Sequence, residues 1–73
     1  MNKSLTAVIR KEEGGYFSLC PEIDVASQGD TIEEAKENLK EAVSLFFECA
    51  SKEEIDDRIG QESYVSALEV EVA

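Results

Sequence analysis

The sequence contains no histidine, no tryptophan and a single proline, and it has 7 basic residues against 17 acidic ones. Without histidine the chain cannot assemble a Ser-His-Asp or Cys-His relay, so general-base work at neutral pH would need a carboxylate with a raised pKa. Direct nucleic-acid binding needs clustered lysine and arginine to meet the phosphates, and these residues are scarce. We therefore expect no catalytic residues and no nucleic-acid ligand.

Cysteine and glycine are also too few to indicate a cofactor or metal site. The two cysteines, Cys20 and Cys49, match no metal-binding spacing, and zinc needs three or four Cys or His ligands. Gly14-Gly15 and Gly29 fit neither a GxGxxG fingerprint nor a P-loop. No run approaches the roughly 20 apolar residues of a membrane span, and no secretory signal opens the sequence. We expect free thiols, no cofactor, no membrane contact and a cytoplasmic location.

Length and composition favour one small folded domain over residues 1–73. A hydrophobic content of 42% argues against disorder, despite the formal net charge of −10. A chain of this size hides only roughly 60% of its unfolded surface when it folds. A second copy would bury more, so we expect a homo-oligomer.

Alternating apolar and polar residues predict strands at the start of the chain. The first strand covers residues 4–10, and Gly14-Gly15 closes a hairpin into a second strand over 16–20. The residues predicted to face the core are Leu5, Ala7 and Ile9 in the first strand, and Phe17 and Leu19 in the second. Pro21 cannot continue a central ladder, so a loop and a short third strand over 25–28 should follow.

Residues 31–50 have the pattern of an amphipathic helix. Thr31 is a good N-cap, and Glu34 three residues later completes a capping-box pattern. Apolar residues then recur at spacings of three and four, which predicts one buried stripe: Ile32, Ala35, Leu39, Ala42, Val43, Phe46 and Ala50. Phe47 borders this stripe. The opposite side is acidic through Glu33, Glu37, Glu41 and Glu48, which we call the acidic face, and Lys36 and Lys40 lie where it meets the stripe.

The rest of the chain completes the predicted fold. Residues 51–60 are compatible with a short helix or a loop, with Ser51 as a possible cap and Gly60 as a stop. Residues 64–72 alternate again, with Leu68, Val70 and Val72 on one side, and predict a half-buried last strand. The predicted class is α+β: an antiparallel three-stranded sheet, one long amphipathic helix and a returning fourth strand, in the order β-β-β-α-β.

Several motifs in this order resemble the HicB-like antitoxin family. Residues 14–22 read GGYFSLCPE, residues 27–31 read SQGDT, and the helix continues with EEA, NL and EA at 33–35, 38–39 and 41–42. Together they cover residues 5–48. The resemblance implies a partial RNase H-like fold. It also implies an antitoxin of a type II toxin-antitoxin pair, which silences HicA, a small basic ribonuclease that degrades mRNA.

The resemblance gives the acidic face a use, because acidic residues steer a cationic toxin and mimic the phosphates that it would hold. Leu45, beside Phe46-Phe47, broadens the apolar end of the helix and is a candidate interface residue. The expected partner-binding residues are therefore Glu33, Glu37, Glu41, Glu48 and Leu45. Two other locations stay open: an exposed sheet edge and residues 64–72.

Two departures from the family pattern keep an alternative function open. Many members carry a C-terminal DNA-binding domain, which we do not expect here, and the loop after Pro21-Glu22 reads Ile23-Asp24-Val25 instead of a Pro-Gly-Cys-like run. The alternative is an orphan HicB-like module with a different protein partner. Nuclease activity is not expected, because true RNase H-like nucleases place an acidic metal ligand on the first strand and residues 4–10 contain none; Asp24 and Asp30 are the nearest candidates.

Overall fold

A computed structural model of the chain describes residues 5–60 and 66–72. Three strands, β1 (Val8–Glu12), β2 (Gly15–Cys20) and β3 (Val25–Gly29), precede two helices, α1 (Ile32–Cys49) and α2 (Lys52–Gly60). The strands form one antiparallel sheet in the order β1-β2-β3. The predicted α+β class, with a three-stranded antiparallel sheet followed by a long helix, is confirmed.

The hairpin between β1 and β2 forms at the predicted glycines. Glu12 pairs with Gly15, which leaves a two-residue turn, and Gly14 has a φ of +83°. That left-handed conformation is accessible to glycine at little steric cost. A glycine at this turn therefore sets the register of the whole hairpin.

Helix α1 lies over β3 and β2 and barely reaches β1. Its N-cap is the predicted one, because the Glu34 N–H donates to Thr31 Oγ1 at 3.0 Å. The approach to the sheet is close: a Cβ on Gly29 would lie 2.5 Å from the Ala35 nitrogen, and Ser18 Oγ donates to the Ala35 carbonyl at 2.9 Å. The space between helix and sheet thus admits only small groups at this crossing.

The core lies between α1 and the sheet, around buried Cys20, Ile23 and Leu39. Partly buried apolar residues pack against these three: Leu5, Val25, Val43, Phe46, Phe47 and Ile59. Most of the predicted helical stripe therefore faces the core. Ile32 is an exception, because it is 49% exposed at the start of α1.

The prediction that Phe17 and Leu19 face the core is wrong. Alternate residues of a strand point to opposite faces, and in β2 it is Ser18 and Cys20 that are buried against α1. Phe17 and Leu19 therefore lie on the open face of the sheet. The close helix crossing explains the choice, because small Ser18 fits beneath Ala35 and a phenyl ring does not.

Residues 51–60, which sequence patterns left open, form α2. Ser51 Oγ accepts the Glu54 N–H at 3.1 Å and caps the helix as expected. Arg58 donates to the Ile23 carbonyl, and its guanidinium carbon lies 5.5 Å from the centre of the Phe46 ring. These contacts hold α2 against the core. Among the described residues, α2 includes Gly60, the residue expected to stop it.

The predicted fourth strand does not form in residues 66–72, which have no regular secondary structure. Leu68, Val70 and Val72 are 86%, 69% and 85% exposed. A strand needs a neighbour for its main-chain hydrogen bonds, and this segment has none within the described part of the chain. Residues 64 and 65 of the prediction lie outside the described residues. The partial RNase H-like relationship stays a prediction.

Candidate protein-binding surface

Helix α1 carries the acidic face on its solvent side. Glu33, Glu37 and Glu41 are four residues apart, and Glu48 follows seven residues later, so at 100° per residue all four lie within an arc of about 80°. All four side chains are exposed. The structure therefore brings together every acidic residue that the sequence assigned to this surface.

The negative charge of this face is not neutralised by ion pairs. Within residues 5–60 and 66–72, the structure forms one ion pair, between Arg10 and Glu12 at 2.8 Å on the sheet. Lys36 and Lys40 of α1 thus have no carboxylate within 4.0 Å in that part of the chain. Unpaired like charges along one helix side produce a negative potential, which favours contact with a basic partner.

Leu45 supplies an apolar group at the C-terminal half of the same surface. Its side chain is 57% exposed, whereas Phe46 and Phe47 are partly buried and pack edge-to-face with ring centres 5.4 Å apart. The aromatic pair therefore belongs to the core side of α1. Leu45 lies on the solvent side of α1, one turn beyond Glu41. A partner could there make an apolar contact with Leu45 next to its contacts with the carboxylates.

A polar cluster beside the sheet was not predicted from the sequence. Glu22 accepts the Thr6 N–H at 2.9 and 3.1 Å through its two carboxylate oxygens, and the Thr6 hydroxyl donates to Oε2 at 2.6 Å. Cys20 Sγ lies 3.5 Å from Glu22 Oε1. The only sequence signal for this cluster was Pro21, because it has no N–H to donate and therefore ends strand pairing near Thr6.

This cluster shifts two pKa values. Burial raises the pKa of the Cys20 thiol, and the hydrogen bond and negative charge of Glu22 raise it further. Burial also acts to raise the pKa of Glu22, but hydrogen bonds from Thr6, from its own backbone and from Cys20 outweigh it. The Glu22 pKa therefore lies below its ordinary value, while Cys20 stays a thiol. The cluster connects residue 6, before β1, to the end of β2 through hydrogen bonds.

The acids considered for metal binding are not brought together. Asp24 is exposed in the turn after β2 with a φ of 54°, and Asp30 is exposed just before α1. Among the described residues, no group of three or more His, Cys, Asp or Glu side chains is arranged to hold a metal ion. None of the helices described combines the length and apolar composition that a bilayer crossing demands.

Relatives of this chain are found in two bacteria. A UPF0150 protein of Helicobacter pylori is 34% identical over 70 residues, which covers 94% of this chain and 97% of the relative. A UPF0150 protein of Synechocystis sp. is 54% identical over 50 residues, which covers 66% of this chain and 69% of the relative. The chain belongs to the UPF0150 family. No family model and no solved structure matches it.

A second UPF0150 protein of Synechocystis sp. is 47% identical over 45 residues, or 59% of this chain and 57% of that relative. The names of these UPF0150 relatives state no activity, substrate or partner. Function in this chain must therefore be argued from its own surface.

Proposed function

We propose that this UPF0150 protein is a non-catalytic, HicB-like antitoxin-type protein that binds and neutralises a small basic HicA-type mRNA-cleaving toxin. The contact surface is the acidic face of α1 together with Leu45. One observation carries the proposal: four exposed carboxylates lie in a row on one side of an 18-residue helix and have no ion-pair partner in the described chain. The motifs shared with the HicB-like family supply the identity of the partner.

The spacing of the acidic face suits a surface that normally binds nucleic acid. Residues four apart on a helix are separated by about 6 Å along its axis, so the row presents a line of negative charges as a phosphate backbone does. Arginine on the toxin can bind each carboxylate through two hydrogen bonds. Long-range attraction to a chain of net charge −10 accelerates the encounter.

A matched pair of double variants tests the surface. Glu37→Gln with Glu41→Gln removes two charges from the acidic face, and Glu53→Gln with Glu54→Gln removes two from exposed positions of α2. Isothermal titration with a HicA-type toxin should show the first variant weakened at least tenfold and the second within twofold of the parent. Both variants should give the parent's circular dichroism spectrum, because all four side chains are exposed.

Equal weakening by the two variants would mean that total charge matters and the acidic face does not. If the parent neither binds the toxin nor relieves RNA cleavage, the antitoxin assignment fails and the orphan module with another protein partner takes its place. Enzyme activity is tested separately by incubating the protein with RNA and DNA in magnesium or manganese. We expect no cleavage, and cleavage abolished by Asp24→Asn would overturn the non-catalytic assignment.

A further inference from the structure

The structure leaves one large groove uncovered on the helix side of the sheet. Because α1 lies over β3 and β2, the inner side of the sheet beyond β2 stays open, and a groove of about 980 Å³ runs between residues 5–7 and the flank of α1. Its floor is apolar and includes Leu5, Ala7, Leu39, Val43 and Phe47. The groove borders the acidic face and shares Glu33 and Glu37 with it.

The edge beside the groove is able to accept another strand. In the sheet order β1-β2-β3, β1 is outermost, so its outer row of N–H and C=O groups pairs with no strand among the described residues. Such an edge is a template for strand addition, in which main-chain bonds give affinity and pockets for alternate side chains give specificity. The apolar floor lies beside residues 5–7, which lead into β1, so side chains of an added strand that extends past the start of β1 would reach it.

Residues 66–72 match this edge and groove in length and pattern. The segment reads SALEVEV, so Leu68, Val70 and Val72 point to one side and Ala67, Glu69 and Glu71 to the other. All three aliphatic side chains are exposed. Extended, the segment spans about 23 Å, and residues 5–12 span about 26 Å at about 3.3 Å per residue.

We propose that residues 66–72 of a second copy of this chain add to the outer edge of β1 as a strand and insert their aliphatic side chains into the groove. The proposal is independent of the antitoxin assignment. In a two-fold symmetric dimer, each copy inserts its segment into its partner's groove and receives the partner's segment in its own. Both the exposed segment and the open groove are then covered in each copy. Within residues 5–60 and 66–72 of one copy, the segment and the groove are both left uncovered.

Charge favours this site for contact between two acidic molecules. The groove rim alternates Glu33, Lys36, Glu37 and Lys40, so it is nearly neutral on a chain of net charge −10. With the aliphatic side chains in the groove, Glu69 and Glu71 emerge on the open face of the sheet. Arg10 lies on that face, where it pairs with Glu12 at 2.8 Å and lies 5.4 Å from the centre of the Phe17 ring, so Glu69 and Glu71 would share its positive charge with Glu12.

Single substitutions in the full chain test the docking. Val70→Asp places a carboxylate into the groove, and Ala67→Asp makes the same charge change on the opposite side of the segment. Light scattering should give the parent and Ala67→Asp twice the chain mass of 8.1 kDa, and Val70→Asp the single mass. Hydrogen exchange should show the amides of residues 66–72 protected in the parent and unprotected in Val70→Asp.

A mixing experiment distinguishes a second copy from the chain's own segment. Ala7→Glu blocks the groove and leaves the segment intact, so this variant alone should also be monomeric. Mixing it with Val70→Asp restores one intact groove facing one intact segment, and a mixed dimer should appear. A parent that is monomeric with residues 66–72 protected would assign the groove to its own segment and overturn the proposal. A dimer unchanged by Val70→Asp would also overturn it.

Discussion

Pro21 determines where pairing between β1 and β2 stops. The register that sets Val8 opposite Leu19 would place Thr6 opposite Pro21, which has no N–H to donate. Beyond that point the Thr6 N–H and hydroxyl both donate to the Glu22 carboxylate. A charged side-chain acceptor thus satisfies the Thr6 N–H where the ladder ends, and this interaction is titratable.

Glu22→Gln should lower the free energy of unfolding at pH 7 by about 1–3 kcal/mol, the usual value of hydrogen bonds to a charged group. Because the folded-state pKa of Glu22 is lowered, its contribution is present above the unfolded pKa of about 4.3 and is lost as pH falls through the folded value. Urea unfolding at several pH values should show the two proteins converging in acid. Glu13→Gln, in the exposed turn, serves as the control.

A difference between parent and Glu22→Gln that stays constant from neutral to acidic pH would contradict the charged hydrogen bond to Thr6.

The two cysteines should differ strongly in reactivity. Cys49 is exposed at the end of α1, whereas Cys20 is buried, and burial raises its pKa. A thiolate is the reactive form, so a thiol reagent should modify Cys49 first and Cys20 only when the domain opens. Stopped-flow titration of the native protein should show one fast phase, which Cys49→Ser removes. Two fast phases would place Cys20 at the surface.

At the scale of elements, strand periodicity located β2 and β3 but placed the first strand at residues 4–10, whereas β1 is Val8–Glu12, and it predicted the wrong buried face for β2. Alternation at residues 16–20 is compatible with either face of the strand being buried. The larger apolar residues, Phe17 and Leu19, led to the prediction that their face is buried, which is wrong. The face is decided by how closely α1 approaches, which depends on Gly29 and Ser18 and is a tertiary property. Local signals did better: the glycine turn at Gly14 and the cap at Thr31 were predictable because their partners are within three residues.

The position of Phe17 on the open face of the sheet predicts a difference in stability between two variants. Leu39→Ala, in the buried core, should cost about 2–5 kcal/mol of unfolding free energy. Phe17→Ala should cost less than half of that, although it removes more atoms, because the ring lies partly exposed on the open face with Arg10 over it. Chemical denaturation of both variants measures the difference. Equal losses of unfolding free energy in the two variants would indicate that Phe17 is part of the core.

The last segment illustrates what a single chain's sequence does not determine. Residues 66–72 have the alternation of a strand, yet a strand forms only when an edge is available to it. The acidic face, in contrast, was predictable in full, because helix periodicity alone places Glu33, Glu37, Glu41 and Glu48 on one side. Leu45 was identified for the same reason, as an apolar residue beyond the width of one buried stripe.

On the scale of the whole molecule, a net charge of −10 on 73 residues opposes compact folding by self-repulsion. Added salt screens this repulsion, so moderate sodium chloride should raise the melting temperature at pH 7. Screening worth about 1 kcal/mol corresponds to about 4–8 °C for a domain of this size. Differential scanning calorimetry measures the shift. An unchanged or lower melting temperature would mean that repulsion among the acidic side chains is weaker than the single ion pair of the described residues implies.

Two surfaces of the molecule differ in charge, although Glu33 and Glu37 belong to both. The acidic face of α1 is suited to a basic partner, and the nearly neutral groove beside β1 is suited to a second copy. Both regions border α1, which explains how a small domain can present two contact surfaces without a second domain. Toxin binding and self-association should therefore be separable by substitution, since Val70→Asp leaves the acidic face intact.

The most direct test of recognition through the acidic face is a backbone NMR titration of the labelled protein with a HicA-type toxin. The account predicts that amide shifts concentrate on the solvent side of α1, around Glu33, Glu37, Glu41, Leu45 and Glu48, and that the shifts weaken as salt is raised. No shifts at saturating toxin, or shifts confined to β1 and residues 66–72 with α1 unaffected, would contradict recognition through the acidic face.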